Sequence, residues 1–165
     1  MTFIESMLSR RSIRKFSTEP VGEELMLNIL EAGRLSPSAT NTQPWHFIVA
    51  RDRKEKEACT FGGFNRFAVD ASFVVVGVYN KSEAVMERYS LMDVTIALQS
   101  MVIAGWAQGV GSCWMGAFDE NNLRKTINLP ADARIVGAIA FGMPAETPKQ
   151  PPKKTLDEIV HFDRW

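Results

Sequence analysis

The chain has 165 residues, 45% of them hydrophobic, which suits a single domain able to bury roughly two-thirds of its unfolded surface. Lys+Arg and Asp+Glu are equal at 19 each, so no global charge draws it toward nucleic acid or an anionic membrane. Two cysteines (Cys59, Cys113) and two histidines (His46, His161) stand apart without metal-ligand spacing, which argues against a metal site and fits a reducing, cytoplasmic setting.

The N-terminus "MTFIESMLSRRSIRKF" has no apolar core followed by a small-residue cleavage site, so no secretory signal is expected. Residues 3–9 are predicted as a short amphipathic turn of helix with Phe3, Ile4, Met7 and Leu8 on one side. A helix is predicted over 23–35, where Leu25, Met26, Ile29 and Leu30 recur at helical spacing behind Glu23 and Glu24. Ser36-Pro37 ends it, because proline disfavours helical geometry at the residue before it. Strands are predicted over 46–52 ("HFIVARD") and 72–80 ("SFVVVGVYN").

Residues 94–118 carry no charge, and Gly105–Gly109 even matches GxxxG. A membrane helix is one reading of this run. Thr95, Gln99, Ser100, Gln108, Ser112 and the glycines favour the other, a buried helix from Glu87 to Gln108 followed by a buried strand in "SCWMGAF". A helix apolar nearly all round needs cover on every side, and a partner subunit could supply part of it. Asp119 is placed to cap a helix over 120–128 before Pro130, and "RIVGAIAFGMP" (134–144) reads as a further strand. The proline-rich segment 145–165 reads as an arm lying along something else. Alternating helices and strands with no repeat and no linker predict one α/β or α+β domain over 1–165.

Arg10, Arg11, Arg14 and Lys15 put four cations within six residues, around Ser12. Guanidinium forks match phosphate oxygens, although a solvated basic face or a short nucleic-acid patch would use the same residues. The glycines of "GVGSCWMGAF" fit neither the dinucleotide fingerprint nor a P-loop. They would either let backbone approach a flat ligand or serve tight packing. Cys113 in its apolar run reads as an inert core thiol, and His46 as a satisfied strand residue. No catalytic side chain stands out. Groups to hold an anion are present and groups to do chemistry are few, the pattern of an enzyme whose cofactor carries the reaction.

"RRSIRKF", "ILEAGRLSPSATNTQPWHFIV", "FNRFAVDAS", "GVGSCWMGAFD" and "PKKTLDEIVHFDRW" occur in that order along essentially the whole chain. In these segments the sequence resembles a short-branch member of the nitroreductase family, the FMN-dependent NAD(P)H oxidoreductases. The resemblance implies an α+β fold, a central mostly antiparallel sheet flanked by helices, assembled as an intertwined homodimer with FMN at the interface. It implies that Arg10, Arg11, Ser12 and Arg14 contact FMN, Arg10 and Ser12 toward the phosphate and ribityl chain and Arg14 toward the N1/C2-carbonyl edge. Pro37, Ser38, Ala39 and Asn41 would reach the same FMN from the other subunit. Asn65 would lie beside the ring, Gly116 and Ala117 would face flavin N5, and Lys153 or Lys154 would help hold the phosphate.

The sequence has Gly116-Ala117 where larger members carry Glu-Gly, Ala39 where a second serine is common, and lysine where the terminal phosphate ligand is usually arginine. The implied activity is ping-pong hydride transfer from NAD(P)H through flavin N5 to an electron-poor acceptor such as a nitroaromatic or quinone. A non-catalytic FMN-binding or storage module, or a same-fold flavoenzyme with other chemistry (dehalogenase, flavin-fragmenting enzyme, azoline dehydrogenase), would share these residues.

Overall fold

Val74, Val75 and Val76 sit in a strand buried on both faces, and the rest of the fold is arranged to cover them. The computed structural model describes residues 2–165; the Phe3 side chain, expected on the apolar side of the first helix, lies outside what is described. Five helices and four strands follow in the order α1 (Phe3–Ser9), α2 (Glu23–Arg34), β1 (Trp45–Ala50), α3 (Arg53–Ala58), β2 (Phe73–Asn80), α4 (Glu87–Ala107), β3 (Gly111–Met115), α5 (Glu120–Thr126) and β4 (Ala133–Gly142). The four strands form one sheet in the order β1-β2-β4-β3, antiparallel at every pairing. This is the expected α+β architecture, a central antiparallel sheet with helices around it.

The twofold period of β2 divides its side chains between two cores. Phe73, Val75 and Tyr79 join Ile29 of α2 and Val94, Leu98 and Met101 of α4. Val74, Val76 and Val78 face the other way, toward Ala58 and Cys59 at the end of α3 and Leu123 of α5. Each such side chain, fully buried, stabilises the fold by roughly 1.5–3 kcal/mol before ordering costs. Gly77 lets α4 come close to the sheet. A Cβ there would stand 2.6 Å from Leu98 Cδ1 and 3.0 Å from Val94 Cγ1.

Several predicted boundaries hold because the local chemistry is strong. The Asp119 side chain accepts the Asn122 N–H at 3.0 Å and starts α5. Thr2 and Glu5 form a reciprocal capping box on α1. Strand β1 stops two residues short of its predicted end, since Asp52 becomes the N-cap residue of α3. That helix was not expected. Its six residues, "RKEKEA", are too short and too charged to show periodicity.

Helix α4 is long and apolar enough to cross a bilayer by length and composition. It packs instead on α2 and on the sheet of its own chain, burying Val94, Ala97, Leu98, Met101, Val102 and Gly105. Its other side leaves Leu91, Met92 and Ile96 between 43% and 49% exposed. Beside it lies an apolar groove of about 710 Å³ shared with Met7 of α1 and Ala32 of α2. The helix is therefore covered on one side, not all round. Residues 148–165 leave the domain almost without burial, and Phe162 and Trp165 are 87% and 101% exposed.

Candidate functional site

Helix α1 ends where Arg10 turns to extended backbone (φ −53°, ψ 137°). From there the chain runs beside β3. The Ile13 N–H donates to the Ser112 carbonyl at 2.9 Å, and Ser12 bridges Ser112 in parallel. The approach is close because position 111 is glycine: a Cβ there would meet Ile13 Cγ1 at 2.9 Å. Ile13 is fully buried and anchors the segment, so its neighbours Ser12 and Arg14 stand at the edge of a cavity.

That cavity, about 490 Å³, is walled by residues 10–14 on one side and by the arm at residues 148–153 on the other. Arg10, Arg11, Arg14, Lys149 and Lys153 line it, and no carboxylate does. The Arg11 guanidinium is already committed. It donates to the carbonyls of Leu8, Ser9 and Arg10, closing the C-terminal end of α1, and to Gln150 Oε1 at 2.8 Å. The side-chain nitrogens of Arg10, Arg14, Lys149 and Lys153 make no hydrogen bond or ion pair with any described residue. Four uncommitted cations around one open volume form a receptor for an anion of more than one charge.

Glu146 sets the geometry of the arm. Its Oε1 accepts the backbone N–H groups of Arg14 at 2.6 Å and Lys15 at 3.0 Å, while the Ala145 N–H donates to the Lys15 carbonyl. The carboxylate is thus used on backbone, away from the guanidinium it could have neutralised. Of the two candidate lysines, Lys153 lines the cavity and Lys154 does not.

Next to this wall, β3 continues into Gly116 and Ala117. No heavy atom lies within 4 Å of a Cβ built on Gly116, so the backbone there borders open space. The Asn65 side chain reaches across and donates to the Ala117 carbonyl at 2.7 Å. Asn65 does so from a left-handed conformation (φ 60°), which asparagine tolerates better than most residues. Cys113 lies beneath this wall, 3% exposed. Burial pushes its thiol up, against the opposing pull of Arg14, Ser12 and Arg10, so it is an inert neighbour as expected. Cys59, pushed up to about 12 by burial alone, is likewise no nucleophile.

Pro37, Ser38, Ala39 and Asn41 do not line this cavity. Their loop hangs from the first half of α4, where Asp93 Oδ1 accepts the Ala39 N–H at 3.1 Å. Ser9, at the other group of residues, accepts from Trp106 Nε1 at 3.0 Å. The two attachment points are thirteen residues apart on α4, about 20 Å at a rise of 1.5 Å per residue. The residues expected to share one ligand therefore fall into two groups attached at separate points along α4. His46 pairs with Glu83 at 2.8 Å and belongs to neither.

Reading the sequence missed Glu146, Lys149 and Asp93. Asp93 left a signal, since it is the charge that opens the uncharged run 94–118.

The sequence model of the nitroreductase family matches residues 7–61 and 62–143. A protein of Methanothermobacter thermautotrophicus, provisionally named NADH dehydrogenase/NAD(P)H nitroreductase, is 30% identical over 170 residues, covering 100% of this chain and 88% of that protein. A provisionally named nitroreductase from Desulfovibrio desulfuricans, solved in complex with FMN, superposes with a TM-score of 0.90 at 26% identity, over 100% of this chain and 98% of that one. An FMN-dependent nitroreductase from Clostridium difficile gives 0.84 at 25% identity, over 98% and 99% of the two chains.

Proposed function

The chain belongs to the nitroreductase family, and from that membership we propose that it is an FMN-dependent NAD(P)H oxidoreductase acting as a homodimer. The observation that carries this reading is the cavity of uncommitted cations beside an open backbone edge. FMN is a phosphate dianion joined to a flat ring, and the residues present fit both parts. Arg10, Ser12 and Lys153 are the groups for the phosphate and ribityl chain. Arg14 would put a fixed positive charge toward the N1/C2-carbonyl edge, and Asn65 with the Gly116–Ala117 backbone, which it hydrogen-bonds, would border the ring. Arg11 adds charge to the same wall while its hydrogen bonds hold α1 in place.

Bound FMN supplies two-electron chemistry, accepting hydride from NAD(P)H and passing electrons to an electron-poor acceptor such as a nitroaromatic or quinone. The protein contributes binding, orientation and charge. Donor and acceptor use one place in turn, so initial-rate plots at varied acceptor are expected to give the parallel lines of a ping-pong sequence.

The partner subunit enters through the separation along α4. With the two groups attached about 20 Å apart along α4, this reading has the Pro37–Asn41 loop supplied to each FMN by a second copy of the chain. Two apolar features support such a copy: the exposed side of α4 with its groove, and the arm ending in Ile159, Val160, Phe162 and Trp165. The arm wraps the partner in this reading.

The test is an absorbance spectrum before and after anaerobic addition of NADH or NADPH. A yellow protein whose flavin band bleaches is expected. A colourless protein that takes up no added FMN overturns the proposal, and a yellow one that neither nucleotide bleaches leaves a flavin-binding module instead of an enzyme.

A further inference from the structure

Asp93 is the only Asp, Glu, Lys, Arg or His among the buried described residues, at 5% exposure. Its Oδ1 accepts the Ala39 N–H, and its Oδ2 is buried with no hydrogen-bond partner. A buried carboxylate with one oxygen unsatisfied works against the fold unless it has a use. The loop it touches is also costly. Thr40, Asn41 and Gln43 all have positive φ, at 50°, 57° and 49°. The value at Thr40 is the most unfavourable, because a β-branched side chain crowds the left-handed region.

The loop's remaining bonds are internal. The Gln43 N–H donates to Ser38 Oγ, Thr42 Oγ1 donates to the Ala39 carbonyl, and the Asn41 N–H donates to the Ser38 carbonyl. Among the described residues, Asp93 makes the one hydrogen bond from residues 38–43 to a separate helix or strand. The internal bonds fix the shape of the loop; Asp93 ties that shape to α4, beside the Ser36 Oγ–Ser100 Oγ bond (2.9 Å) that anchors the chain just before it.

We infer that Asp93 is a positioning residue for the flavin site, holding the Ser38–Asn41 loop at the place from which it meets FMN bound by the partner subunit. The inference rests on the flavin reading above. Asp93 acts through the Ala39 N–H and is not itself in the cavity, so it is not a catalytic residue.

The test titrates apoprotein with FMN by fluorescence quenching and measures amide exchange in the same apoprotein. Asp93→Ala is expected to raise the FMN dissociation constant at least about tenfold, by freeing the loop. It should also speed exchange at residues 39–43 while the amides of β2 stay protected. Asp93→Asn keeps an acceptor oxygen and is expected to stay within about threefold of wild type in FMN affinity, with loop exchange unchanged. Ala39→Pro removes the N–H and leaves the carboxylate. Ser38, already extended (φ −138°, ψ 158°), suits the position before proline. This variant should weaken FMN as Asp93→Ala does, and the double variant should be no weaker than either alone.

Unchanged FMN affinity in Asp93→Ala overturns the inference, as does an Asp93→Asn protein as weak as Asp93→Ala, which would assign the effect to charge. Should Asp93→Ala fail to fold, Ala39→Pro decides on the same criterion. A wild-type protein that takes up no FMN removes the flavin reading; exchange at residues 39–43 then still decides whether Asp93 anchors the loop.

Discussion

The two groups of proposed flavin-binding residues are built in opposite ways. The Arg10–Arg14 group is open: with Lys149 and Lys153, Arg10 and Arg14 line a cavity without a side-chain partner among the described residues, so the strain is electrostatic. The Pro37–Asn41 group is closed on itself: its backbone is strained, its polar groups bond one another, and one buried carboxylate ties it down. The difference separates two tasks. One group supplies attraction and tolerates movement of long side chains. The other supplies shape and has to be finished before the ligand arrives, since a loop that ordered on binding would subtract its ordering cost from affinity.

Separating the groups physically is expected to have the largest effect. Deletion of residues 155–165 removes Phe162 and Trp165, the most exposed large apolar side chains of the arm. The expected outcome is a monomer by light scattering and FMN binding weakened by roughly a hundredfold or more, because each open group then faces water instead of the other subunit's loop. A truncated protein that remains dimeric with unchanged FMN affinity would break the comparison at its root.

Single changes in the open group come next. Arg10→Ala or Arg14→Ala removes a charge-assisted contact worth about 1.5–3 kcal/mol, which is roughly ten- to a hundredfold in FMN affinity. Lys153→Ala is expected at the lower end, since an ammonium lacks the bidentate fork. Lys154→Ala, outside the cavity, should change affinity by less than about twofold. Isothermal titration of the four variants gives the order directly.

Much of this was legible in the sequence, for identifiable reasons. The run "VVVGV" reads as a buried strand, and the polar residues within the uncharged stretch after Asp93 favoured a buried helix and strand over a membrane span. The arginine cluster pointed toward an anion, although four cations within six residues would equally suit a solvated basic face or a short nucleic-acid patch. What stayed hidden depends on distance along the chain. Glu146 meets the Arg14 backbone across 132 residues, and Asn65 meets Ala117 across 52. No local pattern encodes such contacts. Helix α3 escaped for the reverse reason, being too short for its pattern to repeat. The separation of the two groups within one chain was implied only by the family resemblance, and the path of α4 supplies its physical reason.

A third experiment disturbs the open group without touching a cation. Gly111→Ala places a methyl against Ile13, the buried anchor beneath Ser12 and Arg14. Overpacking of this kind costs about 1–3 kcal/mol, read as a lower urea midpoint at unchanged slope. FMN affinity should fall with it, because the segment that carries the guanidinium groups moves. Stability loss with full FMN affinity would mean that the open group does not depend on its seat against β3.

The smallest effect is expected at the rim of the closed group, where His46 follows the loop into β1 and bonds Glu83. Hydrogen bonds from Asn80 first, and from His46 second, hold the Glu83 carboxyl below the usual range. A lowered folded-state value means that this stabilisation is present above the carboxyl's ordinary range near 4.5 and is lost as pH falls through the folded value. Both side chains are about half exposed, so solvent screening reduces the pair to a few tenths of a kcal/mol. Glu83→Ala should therefore lower stability slightly at neutral pH, with the gap to wild type closing as pH falls below the carboxyl's ordinary value of 4.5 in parallel denaturation curves. FMN affinity should not change, because the loop is held by Asp93 and its own bonds, not by this pair. If Glu83→Ala weakened FMN as strongly as Arg10→Ala, the closed group would extend into β1, and its shape would not be set by residues 38–43 and Asp93 alone.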